Sequence, residues 1–220
     1  MIRENLESLR KELPPETCLV AVSKFHPAEA VVEAYEAGQR VFGESRPQEL
    51  ESKALALAGR CPGIEWHFIG HLQTNKLKMV LPYCALVESI DSRHLLKAVS
   101  EWGVANGKRV DVLLELHIGA EQTKQGFTEE EALDVLFDAE SFPGVRFRGL
   151  MGMASNTEDE GVVDADFERL DSFMSYCCEL FPELEAFDQL SAGMSGDWRI
   201  ALRHGSTTVR IGTFIFGQRV

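Results

Sequence analysis

From residue 17 onward, short runs of apolar and β-branched residues alternate with stretches of helical period, and no other feature of the chain constrains the fold as strongly. This is the pattern of βα units wound around a parallel sheet. Residues 17–23, Thr-Cys-Leu-Val-Ala-Val-Ser, are almost continuously apolar, as expected of a strand buried on both faces. Pro27 then opens a helix over residues 28–37, with Gly38 just past its end. Further strands are expected at residues 40–43, 65–69, 85–90, 110–117, 147–151, 186–190 and 208–211. Helices are expected at 48–58, 93–105, 128–139 and 197–202, with one more over 1–16 ahead of the first strand. Thr128 followed by three glutamates has the form of a capping box. Phe167, Leu170, Met174, Cys177 and Phe181 recur at spacings of 3 and 4, which predicts an amphipathic helix with Cys177 packed inside.

Eight such units predict an α/β chain closed into a single (β/α)₈ barrel, one domain over residues 1–220. An open doubly wound sheet would carry a glycine-rich fingerprint after its first strand, where this chain has Ser-Lys-Phe-His-Pro.

Charge narrows the partners. Twenty-two Lys and Arg against 35 Asp and Glu leave a net charge of −13, which disfavours nucleic acid and anionic membrane surfaces. The N-terminus is charged and has no apolar h-region, so a cytoplasmic protein is expected. The five cysteines are odd in number and form no CxxC pair, so neither a disulfide framework nor a metal site is expected.

In a barrel, chemistry is carried by the loops that follow the strands. Lys24 ends the first strand, where its stem would enter the barrel mouth. An amine desolvated there would serve as a nucleophile for Schiff-base formation; a lysine with its head in solvent fits the same position. At the other end of the chain, His204 to Thr208 lead into Arg210, Ile211, Gly212 and Thr213. Loops after strands seven and eight form the phosphate site of many barrels, with Ser195 and Thr213 able to donate hydroxyl hydrogen bonds and Gly212 allowing close approach. Turn and cap chemistry accounts for those residues equally well. The six histidines show no close ligand spacing and read as surface or packing residues.

Taken together, these segments resemble a known family. Ala21-Val-Ser-Lys24, Phe42-Gly-Glu44, Trp66-His-Phe-Ile-Gly70, Gly149-Leu-Met151, Gly193-Met-Ser195 and Val209-Arg-Ile-Gly-Thr213 are similar, in order, to the motifs of the YggS/PROSC family of pyridoxal 5′-phosphate (PLP) homeostasis proteins. The resemblance spans about residues 17–219. It implies a barrel like the N-terminal domain of alanine racemase, with PLP held as a Schiff base on Lys24. It also implies phosphate contacts from Ser195, Gly212 and Thr213, with Met194 in the same binding loop, and Arg210 facing the pyridine nitrogen. An always-cationic arginine there would weaken the ring as an electron sink. Ser45 stands where the family usually has asparagine near the ring hydroxyl, and His71 where it usually has proline.

Alanine racemase also needs a β-rich second domain and a tyrosine base, neither of which is expected in a chain that reads to Val220 just past its eighth strand. The implied role is therefore a monomeric, cytoplasmic carrier or buffer of PLP that serves PLP-dependent apoenzymes. The competing expectation is a barrel-only PLP enzyme such as a weak amino acid racemase.

Overall fold

The computed structural model describes residues 1–119 and 125–218. Eight parallel strands close into a barrel in sequence order: β1 (Cys18–Val22), β2 (Val41–Glu44), β3 (Glu65–Phe68), β4 (Cys84–Ile90), β5 (Val110–Leu116), β6 (Val145–Gly152), β7 (Gln189–Ser191) and β8 (Thr208–Ile211). Closure is direct: Cys18 to Ala21 pair residue by residue with Thr208 to Ile211. The expected alternation is therefore realised as the (β/α)₈ architecture.

The helices around it are α1 (Ile2–Glu12), α2 (Ala28–Glu36), α3 (Pro47–Leu57), α4 (Leu77–Val80), α5 (Arg93–Ala105), α6 (Glu129–Phe137), α7 (Glu160–Leu180), α8 (Trp198–Arg203) and α9 (Thr213–Phe216). Each of the longer ones covers the sheet with an apolar stripe. On α7 that stripe includes Phe167, Leu170, Met174 and Cys177, all buried, and Phe181 is buried just past the helix end. The capping box forms as expected: Glu131 N–H donates to Thr128 Oγ1 (3.2 Å) and Thr128 N–H donates to Glu131 Oε2 (2.9 Å).

The structure shifts some expected boundaries. The seventh strand was expected at 186–190 but begins at Gln189, because Phe187 N–H donates to the Leu184 carbonyl and holds residues 184–187 in a turn. The sixth starts two residues early, at Val145, paired with Val110. Helix α4 was not expected; four residues are too few for periodicity to show, although Leu77 and Val80 are both buried.

Side chains on alternate residues of β5 divide between two environments. Val112, Leu114 and Leu116 join the core between sheet and helices, while Leu113 packs with Leu86 and Met151 in a small cluster inside the barrel. Glu115, two residues after Leu113, therefore also points inward, one layer nearer the C-terminal mouth.

Candidate functional site

The C-terminal mouth collects the residues singled out in the sequence. Lys24 lies two residues past β1 and is half-buried. Ala21 pairs with Ile211, and a Cβ added at Gly212 would sit 3.0 Å from the Val22 carbonyl oxygen, so the start of the β8 loop runs against the end of β1. Thr213 opens α9 directly after Gly212. The loop after β7 joins them: Arg210 N–H donates to the Gly193 carbonyl (2.9 Å), and Met194 and Ser195 follow, both exposed. On the other side of Lys24, Ser45 follows β2 and is half-buried. Its backbone is pressed against Gly70, where an added Cβ would stand 2.2 Å from the Ser45 carbonyl oxygen.

The backbone around Lys24 is fixed by a buried ionic network. Glu44 Oε1 accepts hydrogen bonds from Ser23 Oγ (2.6 Å) and Lys53 Nζ (2.6 Å), and the same Nζ donates to the Ser23 carbonyl (2.8 Å). Glu49, also on α3, accepts from the Phe25 N–H (2.8 Å) and lies 3.6 Å from Lys53. Phe25 has φ of +67°, and it is the only described non-glycine residue with positive φ. Strain of this kind persists only where neighbours over-determine the conformation, and here the two residues flanking Lys24 are both anchored. Burial pushes the Glu44 carboxyl above its ordinary value, against the opposing pull of Lys53 and Ser23.

A second network crosses the barrel interior. His67 Nδ1 lies 2.6 Å from Glu88 Oε1, Ser191 Oγ donates to Glu88 Oε2 (2.6 Å), and Arg210 Nη1 donates to Ser191 Oγ (2.5 Å) and to the Ser191 carbonyl (2.9 Å). Arg210 Nη2 donates to the Gly152 carbonyl (3.0 Å), and Glu88 stands 3.7 Å from the guanidinium. Burial alone would raise the Glu88 carboxyl, but His67, Arg210 and Ser191 together bring it below its ordinary value. Arg210 is thus a rigid buried cation at the mouth rather than a mobile side chain. His67, expected to be a surface or packing residue, is instead a partner in this buried network.

At the rim, His71 Nδ1 lies 2.8 Å from Asp91 Oδ2. Lys53, Glu49, Glu88, His67 and Glu115 were not picked out from sequence as part of the site, although Lys53, Glu88 and Glu115 leave a trace there. Leu50, Lys53, Ala54 and Leu57 form one helical stripe, so Lys53 holds a core position in it. Glu88 and Glu115 stand at buried positions in mainly apolar strands. A charge at a core position implies a partner elsewhere in the fold.

A family model described as the alanine racemase N-terminal domain matches residues 1–220. The chain is 36% identical over 230 residues to the pyridoxal phosphate homeostasis protein of Vibrio alginolyticus, covering 99% of this chain and 97% of that protein. Among solved structures it resembles PipY of Synechococcus elongatus without PLP, with a TM-score of 0.93 and 35% identity over 99% of this chain and 100% of that one. The structure of the same protein with PLP bound aligns at a TM-score of 0.91 with 34% identity, again over 99% and 100% of the two chains.

Proposed function

Because this chain belongs to the alanine racemase N-terminal domain family, and within it to the YggS/PROSC group of pyridoxal phosphate homeostasis proteins, we propose that it holds PLP at the barrel mouth and serves intracellular PLP homeostasis. The observation that carries this reading is the convergence of donors on three adjacent strand ends: Lys24 after β1, Ser195 after β7, and Arg210, Gly212 and Thr213 on and after β8.

That donor set fits the group. Ser195 and Thr213 offer exposed hydroxyls, and the first N–H groups of α9 have no partner inside the helix. A Cβ at Gly212 would crowd the space where its backbone runs against Val22, so the backbone there is open only because the residue is glycine. These groups would hold the phosphate, with Met194 beside Ser195 lining the same loop. Ser45 would lie on the Lys24 side and Arg210 at the ring. When bound, PLP supplies an aldehyde that condenses reversibly with a primary amine, and Lys24 is the amine of this site.

What the chain's own residues contribute is placement. Lys53 and Glu49 pin the backbone on either side of Lys24, so its stem is directed into the mouth without a search over backbone conformations. Ser191 and Gly152 hold the Arg210 guanidinium in one orientation, and an arginine stays cationic throughout the physiological range. A fixed cation at the ring discourages the charge build-up that catalysis of carbanion chemistry needs.

The role is a carrier or buffer for PLP-dependent apoenzymes rather than an enzyme, acting as a monomer in the cytoplasm. Five free cysteines support that setting. The three tyrosines support the non-catalytic role: Tyr35 Oη donates to the Pro62 carbonyl, Tyr83 immediately precedes β4, and Tyr176 lies late on α7, so none follows a strand end. The deciding experiment is absorbance of the chain mixed with PLP, followed by borohydride reduction and peptide mapping. A visible band that reduction abolishes, with the cofactor's mass fixed to the Lys24 peptide, is expected. Lys24→Ala should give neither; if it keeps both, Lys24 is not the attachment site. Exchange of amino acid α-hydrogens with deuterated water faster than free PLP achieves would favour the enzyme reading instead.

A further inference from the structure

A second cavity lies beside this site. It has a volume of about 610 Å³, is open to solvent on one side, and is lined by the C-terminal ends of β5 and β6 and the loop after β7. Lys24, Ser195, Arg210, Gly212 and Thr213 do not line it; it shares with the neighbouring site only the loop that carries Met194.

Its chemistry is one-sided. Glu115, Glu158, Glu160 and Asp197 contribute carboxylates, and among the described residues lining it there is no lysine or arginine. Asp197 is already engaged, since its Oδ1 accepts the Met194 N–H (2.5 Å). Glu115 is different. It is 2% exposed, it lines the cavity, and its Oε2 has no hydrogen-bond partner among the described residues. An unmet carboxylate oxygen this deeply buried costs free energy unless a donor arrives, and the inward direction of Glu115 places that oxygen at the barrel mouth. Ile118, Val163, Met194 and Ile200 supply apolar wall around the carboxylates.

A cavity with a buried acceptor at one end, acidic residues around it and apolar walls suits a cation on an aliphatic stem. A bare metal ion suits it less well, because no three His, Cys, Asp or Glu side chains among the described residues are grouped to hold one. We propose that this cavity is a binding site for a small aliphatic amine, held as its ammonium ion on Glu115. The inference goes beyond the cofactor reading and does not depend on it.

Burial and three charged neighbours shape the charge on Glu115. Burial and the nearby Asp91 raise its pKa to about 7, while Arg210 and His71 pull the other way. His117 lines the same cavity from the end of β5. An alkylammonium stays charged well above neutrality, so ionisation of Glu115 sets the pH dependence, and binding should tighten from pH 6 to pH 8.

The test is calorimetric titration with butylamine, and with butan-1-ol as its uncharged match, of the full wild-type chain and of Lys24→Ala. Butylamine should bind both chains, so any carbonyl compound attached to Lys24 is not the source of the heat. It should bind at least about tenfold more tightly than the alcohol, as one charged hydrogen bond implies. Glu115→Gln, checked for folding by circular dichroism, should lower butylamine affinity by at least about tenfold and remove the pH dependence. Gly196→Trp provides a second variant: a Cβ there meets nothing within 4 Å, so the ring can fill the cavity and should block binding. The proposal is overturned if butan-1-ol binds as tightly as butylamine, if either variant binds butylamine as wild type does, or if millimolar butylamine gives no heat. None of these outcomes bears on PLP absorbance, which tests the other site.

Discussion

Replacing Lys53 by methionine removes the only cation among the described residues within salt-bridge distance of the buried Glu44 carboxylate and leaves the side-chain volume almost unchanged. Glu44 is fully buried, and one of its oxygens, Oε2, is already without a partner. A lone ionised carboxylate in that position would cost several kcal/mol, so the native variant will instead bind a proton. The cost is then at most that of protonating an ordinary glutamate of pKa about 4.3, about 3.7 kcal/mol at pH 7 and about 1 kcal/mol at pH 5, because burial already raises the wild-type carboxyl in part. The sign follows from linkage. The native variant binds one proton more than its unfolded chain, so its stability falls as pH rises from about 4 towards neutrality. Urea unfolding of wild type and variant at pH 5, 6 and 7 measures this directly. Glu44→Met combined with Lys53→Met should recover most of the loss, because a buried ion pair replaced by apolar side chains of similar size is often neutral. The double variant should still bind PLP more weakly than wild type, because the Ser23 carbonyl has lost the donor that fixes the chain before Lys24. A deficit that is the same at pH 5 and pH 7, or below about 1 kcal/mol at pH 7, would refute the account of Glu44 as a carboxylate kept ionised by Lys53.

Other perturbations separate stability from binding. Glu115→Gln should stabilise the chain by about 3 kcal/mol at pH 8 and by almost nothing at pH 4, because a carboxyl raised to about 7 resists ionisation only in the folded state; thermal unfolding across that range gives the difference. Gly149 on β6 has φ of +142°, and an added Cβ would lie 1.9 Å from the Gln189 carbonyl oxygen, so Gly149→Ala should destabilise by about 3 kcal/mol or more in the same assay. Gly212→Ala, where the crowding is milder, should cost about 1 kcal/mol of stability but weaken PLP by about tenfold while leaving pyridoxal, which lacks the phosphate, unaffected. Equal weakening of both ligands, read from the absorbance titration, would remove Gly212 from the phosphate site.

Much of the barrel was legible because each βα unit is a local statement. Apolar runs of strand length, proline at a helix start, glycine past a helix end and a capping box are all decided by residues within a few positions of one another. Lys24, Ser195, Arg210, Gly212 and Thr213 could be picked out for the same reason: position at a strand end is local, and closure of the barrel brings strand ends together whatever the rest of the sequence says. The seventh strand was misplaced because a turn at 184–187 depends on a backbone hydrogen bond that hydropathy does not register.

By itself, then, the sequence determined the (β/α)₈ architecture and which residues reach its mouth. Only the tertiary structure decided how the charges inside are paired. Ser191 meets Glu88 across 103 residues of chain, and Lys53 meets Glu44 from a neighbouring helix. Which inward-facing side chains touch depends on the tilt and stagger of a closed sheet, quantities set by all eight strands at once. The same geometry gives Glu88 three partners and leaves one oxygen of Glu115 with none among the described residues, although each is the single glutamate of a mainly apolar strand. That difference makes one glutamate a strut beneath Arg210 and the other the floor of a second cavity.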